Sequence, residues 1–392
     1  MRPGHAEIVG GGLAGLTAGL ALAKSGWRVR VHERSPELRE IGAGLYLKEN
    51  SLRVLERLGV FDEVAAHGVR LERMDIHDVD RDRWLIREVS QLRVYNVVRT
   101  ALHRTLAQAA VARGAEVLTS STGVHAEPSG RLRLASGETV TADLVVGADG
   151  IYSKIRESVR LGRALRILPE GGTRLLVKRT EAESKAWSVE HWSGKLRMLT
   201  TPCSATDTYV ALMGPESDKR ASAVPIDKRR WSNAFPNLID IVGRMGDKDG
   251  VHHTNVKVET RGWASGKVAI VGDAAHGQPP NLGQGAGLAI ANGLALADML
   301  QRYDTVEEGL LAWEATFRPV AMATQRWSCW YGNLAYRWPT RLGNYRMPAL
   351  EGINAFPPLG NRYFWLWQGG LSDYKQPRSL TKALRVHRRD KA

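Results

Sequence analysis

A chain of 392 residues that is 43% apolar has more material than one hydrophobic core usually takes, yet no apolar run as long as a membrane span. Its formal charge of +14 invites a nucleic-acid reading, but no helix-turn-helix, zinc-finger or RNP pattern accompanies the scattered basic residues. Two cysteines, Cys203 and Cys329, are too few for a disulfide framework or a cysteine metal site.

A basic surface that favours an anionic substrate and cofactor is the better account of the charge, with the cluster Arg385 to Lys391 a solvated end. The first strand follows within a few residues, leaving no room for a signal peptide, so the expected compartment is the reducing cytoplasm.

In chain order, the apolar strand Ala6 to Gly10 runs into Gly10-Gly-Gly-Leu-Ala-Gly15. A helix follows with Leu16, Leu20 and Leu22 on its apolar side, then a strand from Trp27 to His32 that ends at Glu33. Gly10 allows the tight turn, Gly12 lets backbone approach a pyrophosphate, and Gly15 lets helix pack on strand. Leu13 and Ala14 open that helix, whose free N–H groups suit phosphate. Glu33, eighteen residues past Gly15 and followed by Arg34, stands where an acid would bind ribose hydroxyls. Alone this fingerprint is weak, and a packing turn is the plain alternative.

A helix around Ser51–Leu58 and short strands between Arg70 and Val94 come next, then a helix from Val98 to Arg113. Ala115–Leu118 and Arg131–Leu134 read as strands. Thr141 to Val146 reads as a buried strand feeding a second glycine segment, Gly147-Ala-Asp-Gly150, where Asp149 ends the strand and Gly150 admits close backbone approach. Arg174–Lys178, Val189–His191, Leu196–Thr200 and Thr208–Met213 read as strands of a sheet inserted into the first domain. Trp263 to Val271 is expected to lead into a third segment, Gly272-Asp273-Ala-Ala-His276. Helices then run from Gly285 to about Gln301 and from Val306 to Tyr331, before an aromatic stretch, Trp338 to Trp367, that would cap the site or form a dimer contact.

Three glycine segments in this order imply one FAD held by both ends of the chain. Asp273 would accept a hydrogen bond from a ribityl hydroxyl. The helix at Gly285, reached through Pro279-Pro280-Asn-Leu-Gly283-Gln-Gly285-Ala286-Gly287, would aim its N–H groups at the flavin pyrimidine edge.

The three segments together resemble the signature of single-component aromatic flavoprotein monooxygenases, the para-hydroxybenzoate hydroxylase class. Shorter stretches, among them Gly42-Ala-Gly44-Leu45-Tyr46, Arg197-Met-Leu-Thr-Thr-Pro-Cys203 and Tyr209-Val-Ala-Leu-Met213, resemble members that act on hydroxylated pyridine acids. The resemblance implies that reduced flavin and O₂ form a C4a-hydroperoxide that oxygenates a hydroxylated aromatic or N-heteroaromatic acid. Ring opening or loss of a substituent could follow. It places Gly44, Leu45 and Arg99 against FAD and Pro280 beside the isoalloxazine, and it has Asp149 and Gly150 touch both FAD and the reduced nicotinamide nucleotide. For Arg99 a salt bridge to the sheet is an equal reading, and Arg156 reads equally as a phosphate ligand or a helix-surface residue. Only one GxGxxG follows a strand, so NADH or NADPH would bind transiently.

Arg197, Tyr209 and Tyr46 are the expected pocket side chains. Arg197 would bind a ring carboxylate or phenolate bidentately, and a tyrosine hydroxyl would orient the ring hydroxyl. Exposed and core positions, respectively, are the plain alternatives. His191, Lys178 and Arg174 are weaker candidates, and His276 is expected to hold its loop rather than act as a base.

The expected fold is α/β. A doubly wound FAD domain (1–70, 95–170, 255–330) would carry a mostly antiparallel substrate sheet (71–94, 171–254) and a C-terminal segment (331–392). A monomer or homodimer is expected. A halogenase or isoprenoid reductase of the same fold, and a non-catalytic escort protein, are the rivals.

Overall fold

The structure is a computed structural model and describes residues 3–38, 43–86, 89, 93–246 and 250–355. Gly42, the end of the aromatic stretch and the basic tail lie outside the described residues.

The first domain is built on a six-stranded sheet whose order places His5–Val9 between Leu144–Gly147 and Arg28–His32. Val268–Ile270 adds to the other side of Leu144–Gly147 in parallel, and Ala264–Ser265 closes that edge as an antiparallel strand. Parallel strands covered on both faces must be apolar throughout. Val145, Val146, Ala269 and Ile270 are fully buried accordingly. The first helix spans Leu13–Lys24 and crosses the helix Gly285–Arg302 closely enough that a Cβ on Gly293 would meet the Ala18 nitrogen at 3.0 Å.

The strand expected over Thr141 to Val146 is two, Thr139–Thr141 in a small three-stranded sheet and Leu144–Gly147 in the core. Likewise Trp263 to Val271 holds two short strands turned at Gly266, whose φ of 56° suits glycine.

The second domain centres on a seven-stranded sheet with five antiparallel junctions and one parallel junction, Trp187–Ser193 with Arg73–Asp78. Its longest strand, Gly162–Lys178, runs through the boundary expected at 170–171. Val251–Thr260 pairs with it across the boundary expected at 254–255. Two continuous strands therefore join the domains. The helices Lys228–Ala234 and Ile239–Arg244 pack Trp231 and Val242 against the outer sheet face; their short apolar spacing gave no sequence signal.

The last long helix extends to Tyr336 rather than Tyr331 and tolerates Pro319 inside it. Beyond it, Arg346–Ala355 docks through Met347 and Leu350 on the cluster that holds Trp192 and Tyr336. Arg346 donates to the Gly194 carbonyl at 2.8 Å and to Asp78 at 3.4 Å. None of the described residues from Trp338 onward lines the cavity described next.

Candidate active site

One cavity of about 550 Å³ lies between the two domains, and its walls differ in kind. Toward the parallel sheet the wall is backbone: Gly12, Leu13, Ala14, Gly150, Gly283, Gly285 and Ala286, with Asp273 exposed among them. A Cβ added at Gly12, Gly150 or Gly285 would meet nothing within 4 Å, so all three face open space. Both helices that start here, at Leu13 and at Gly285, lack a side-chain cap and an acidic residue in the first turn. Their N–H groups and positive dipole ends are directed at the cavity. A shallow cradle of uncapped helix starts and side-chain-free glycines fits a dinucleotide cofactor.

The remaining glycines of the motifs shape the turn instead. Gly10 has φ 110°, and a Cβ there would lie 2.3 Å from the Ala148 carbonyl oxygen. On Gly15 it would lie 1.9 Å from the Gly10 oxygen. Gly272, at φ 61°, and Gly287 are packed against Ala14 and the Gln284 side chain. Glu33 accepts hydrogen bonds from the Gly11 and Ser35 amides, both at 2.9 Å, so it braces the glycine turn. Arg34 is exposed next to it, and neither residue lines the cavity.

Asp149 turns inward to its own loop: it accepts from the Ser153 hydroxyl at 2.5 Å and the Ile155 amide at 3.1 Å. Arg156 is neither a phosphate ligand nor a surface residue. It is 1% exposed and donates to the carbonyls of Ile151 at 2.8 Å and Ala274 at 3.0 Å, tying the middle glycine segment to the third. His276 is fully buried against Trp263, its Nε2 2.9 Å from the Asn292 amide. Burial lowers its pKa to about 4, so it is neutral and holds its loop.

The opposite wall is made of side chains. Arg197, Leu199, Tyr209, Ala211 and Met213 share one face because Arg197 pairs with Met213 and Thr201 with Tyr209 in adjacent antiparallel strands. Tyr46 enters from Gly44–Lys48, packs under Gly283 and has its hydroxyl 2.6 Å from that of Ser188. Burial pushes its phenol well above the ordinary range. Tyr209 is raised too, by burial, against the pull of Arg174 and Arg99 nearby. Its ring lies against Gly44, where a Cβ would come within 2.7 Å. Leu45, Arg99 and Pro280 also line the cavity.

Arg197 is placed in the wall, but its bonds are not those of a free anion clamp. Its Nε donates to Glu190, and its Nη1 donates to Asn281 at 2.7 Å and Tyr336 at 3.2 Å. Burial would lower its pKa, and the Glu190 carboxylate more than offsets this. Of the weaker candidates, Arg174 lines the cavity. Lys178 is exposed on Asp207, and His191 sits on the outer face beside His77, its pKa lowered to about 3 by burial.

Lys48 and Glu190 were missed from the sequence. Lys48 is 2% exposed and donates to the Leu282 carbonyl at 2.7 Å, buttressing the Pro280–Gly283 loop. Alternation would have found both. Lys48 lies two residues beyond Tyr46 on one strand face, and Glu190 lies between Ser188 and Trp192 on another.

Fold and cavity are those of a dinucleotide-binding protein whose glycine-lined cradle opens between two domains. Residues 5–328 match the FAD binding domain family, and the chain belongs to it. It is similar to a putative 2-heptyl-3-hydroxy-4(1H)-quinolone synthase of Rhodococcus erythropolis, 38% identical over 334 residues, which cover 83% of this chain and 87% of that one. The 2-heptyl-3-hydroxy-4(1H)-quinolone synthase of Mycobacteroides abscessus is 34% identical over 327 residues, 81% and 87% of the two chains. Among solved structures, the tetrameric form of 2-methyl-3-hydroxypyridine-5-carboxylic acid oxygenase superposes with a TM-score of 0.82 at 33% identity, covering 96% of this chain and 100% of that one. The protein is an FAD-dependent monooxygenase of aromatic substrates. Among the described residues no helix is long and apolar enough to cross a membrane.

Proposed function

We propose that this chain hydroxylates an oxygen-bearing N-heteroaromatic ring, with NADH or NADPH as electron donor. The observation that carries this reading is the shared cavity, in which the open glycines of one domain face Arg197 and Tyr209 of the other, with Tyr46 beside them. The relatives' ring types, a quinolone and a hydroxypyridine, support the heteroaromatic class.

FAD, when bound, supplies reductive activation of O₂ for electrophilic attack on the ring. Gly12, Leu13 and Ala14 would hold its pyrophosphate, Asp273 the ribityl chain, and Gly285 and Ala286 the pyrimidine edge. Leu45, Gly283 and Pro280 would flank the ring system, and Arg99 would meet the cofactor near the strand at Gly44. Tyr46 and Tyr209, both protonated at neutral pH because burial raises them, would donate or accept hydrogen bonds at the substrate oxygen and orient the attacked carbon. Leu199, Ala211 and Met213 keep water off that face. A monomer or homodimer is the expected assembly, to be read by light scattering.

The test is NADH and NADPH oxidation by the purified protein, with and without hydroxylated pyridines, quinolones and benzenes, products read by mass spectrometry. Stimulated oxidation with a product heavier by one oxygen from a nitrogen ring supports the reading. Stimulation by benzenes alone overturns the ring class.

A further inference from the structure

The side-chain wall carries two opposite charges in direct contact. Glu190 and Arg197 lie on adjacent strands, and Trp192 opposite Arg197 sets their register. One Glu190 oxygen accepts from Arg197 Nε and the other from the Tyr331 hydroxyl at 2.9 Å. Their side chains are 12% and 3% exposed, so solvent screens the pair little. Glu170, a second buried carboxylate, also feels the Arg197 charge, and burial raises its own pKa.

An unpaired arginine here would be an anion hole. Bonded to Glu190, it is one end of a dipole with no net charge. A ring carboxylate brought against it would also meet the Glu190 carboxylate in a low-dielectric wall, where like charges repel strongly. A neutral ring with N–H beside C=O would instead find an acceptor and a donor.

The cavity's other ionic groups sit apart from the Glu190–Arg197 pair or are bonded, with Asp273 on the glycine wall and His253, its pKa lowered by burial, beside Arg174. Lys48 bonds the Leu282 carbonyl and Asp75 pairs with Arg73, while Arg99 and Arg174 line the cavity at Tyr209, where Arg174 is hydrogen-bonded to the phenol.

Resting on the ring-hydroxylating reading above, we infer that Glu190 determines specificity: by neutralising Arg197, it makes this wall select an uncharged oxo- or hydroxy-heteroaromatic ring over the corresponding carboxylate. Glu190 acts through Arg197 as a positioning residue.

The experiment titrates the FAD-loaded protein, without nicotinamide nucleotide, with two probes that differ only by methyl against carboxylate: 2-methyl-4(1H)-quinolone and 4(1H)-quinolone-2-carboxylate. Binding is read from the flavin absorbance change. Wild type is expected to bind the neutral probe at least about tenfold more tightly, and Glu190→Gln to narrow or reverse that ratio by about tenfold. Adding Arg197→Gln to Glu190→Gln should abolish the gained carboxylate binding. Equal binding of both probes by wild type, or equal weakening of both by Glu190→Gln, overturns the inference. If Glu190→Gln does not retain FAD, the wild-type ratio decides alone. Probes that bind without discrimination by charge break only this inference. If no ring perturbs the flavin or stimulates nucleotide oxidation, the functional reading fails and this inference fails with it.

Discussion

The two walls of the cavity are built from different materials. The wall of the parallel sheet is main chain, made of glycines without Cβ atoms and helix starts without caps. The wall of the seven-stranded sheet is side chains in mutual pairs: Tyr46 with Ser188, Arg197 with Glu190, Glu190 with Tyr331. In the proposed reading a main-chain wall would serve any substrate the family uses, because it would recognise the cofactor. A paired side-chain wall would set which ring is accepted, and each member has a partner far away in sequence.

Substitutions within the glycine wall should separate its two tasks. Gly15→Ala drives a methyl group onto the Gly10 carbonyl, and the expected cost is about 3 kcal/mol of stability, with loss of bound flavin, read by thermal unfolding and absorbance. Gly12→Ala is different. Gly12 has φ −78° and its Cβ would point into open space, so the apoprotein should melt unchanged. The methyl group would occupy the cofactor's place, and FAD affinity should fall roughly 100-fold by fluorescence titration, about 2.7 kcal/mol. Apoprotein stability lost equally in both variants would erase the distinction.

Arg156→Ala removes the cation between the middle and third segments and strands one buried and one half-buried carbonyl, at an expected cost of roughly 2 kcal/mol in denaturant unfolding. His276 sharpens the same boundary through pH. Its folded pKa is lowered from 6.5 to about 4 because burial disfavours the charged ring. Between those values the unfolded chain takes up a proton that the folded chain refuses, so stability falls as pH drops through this window and levels off below it. The loss between pH 6.5 and 5 should be roughly 2 kcal/mol, and His276→Gln should flatten it in melts across that range. The smallest effect belongs to the side-chain wall: Tyr46→Phe leaves the Ser188 hydroxyl unpartnered, at about 1 kcal/mol. If Tyr46 also orients the ring, kcat/KM falls about tenfold more than stability explains.

The same division governs what could be read from the sequence. Gly10, Gly150 and Gly272 were legible because a positive φ is a local demand that few other residues meet, and Gly15 because it packs on the nearby Gly10 carbonyl. Tyr46, Arg197 and Tyr209 could be put on one surface from strand alternation and resemblance. What Arg197 bonds to could not, since Asn281 and Tyr336 are 84 and 139 residues away. Arg156 was undecidable for the same reason: its partner carbonyl at Ala274 is 118 residues on. The outer helices Lys228–Ala234 and Ile239–Arg244 were missed because each is about two turns or less, too short for a helical period to register.

The bond from Arg156 to Ala274 also sets an order on the birth of the molecule. A ribosome delivers Gly12 long before Asp273 and Gly285, and between them it delivers the whole second sheet. The nascent chain can assemble the first parallel strands early, but it has half a cradle until the residues near 285 emerge. With the cofactor placed as proposed, flavin capture would be a closing event of synthesis, and a chain truncated before that point would have no complete cradle to fill.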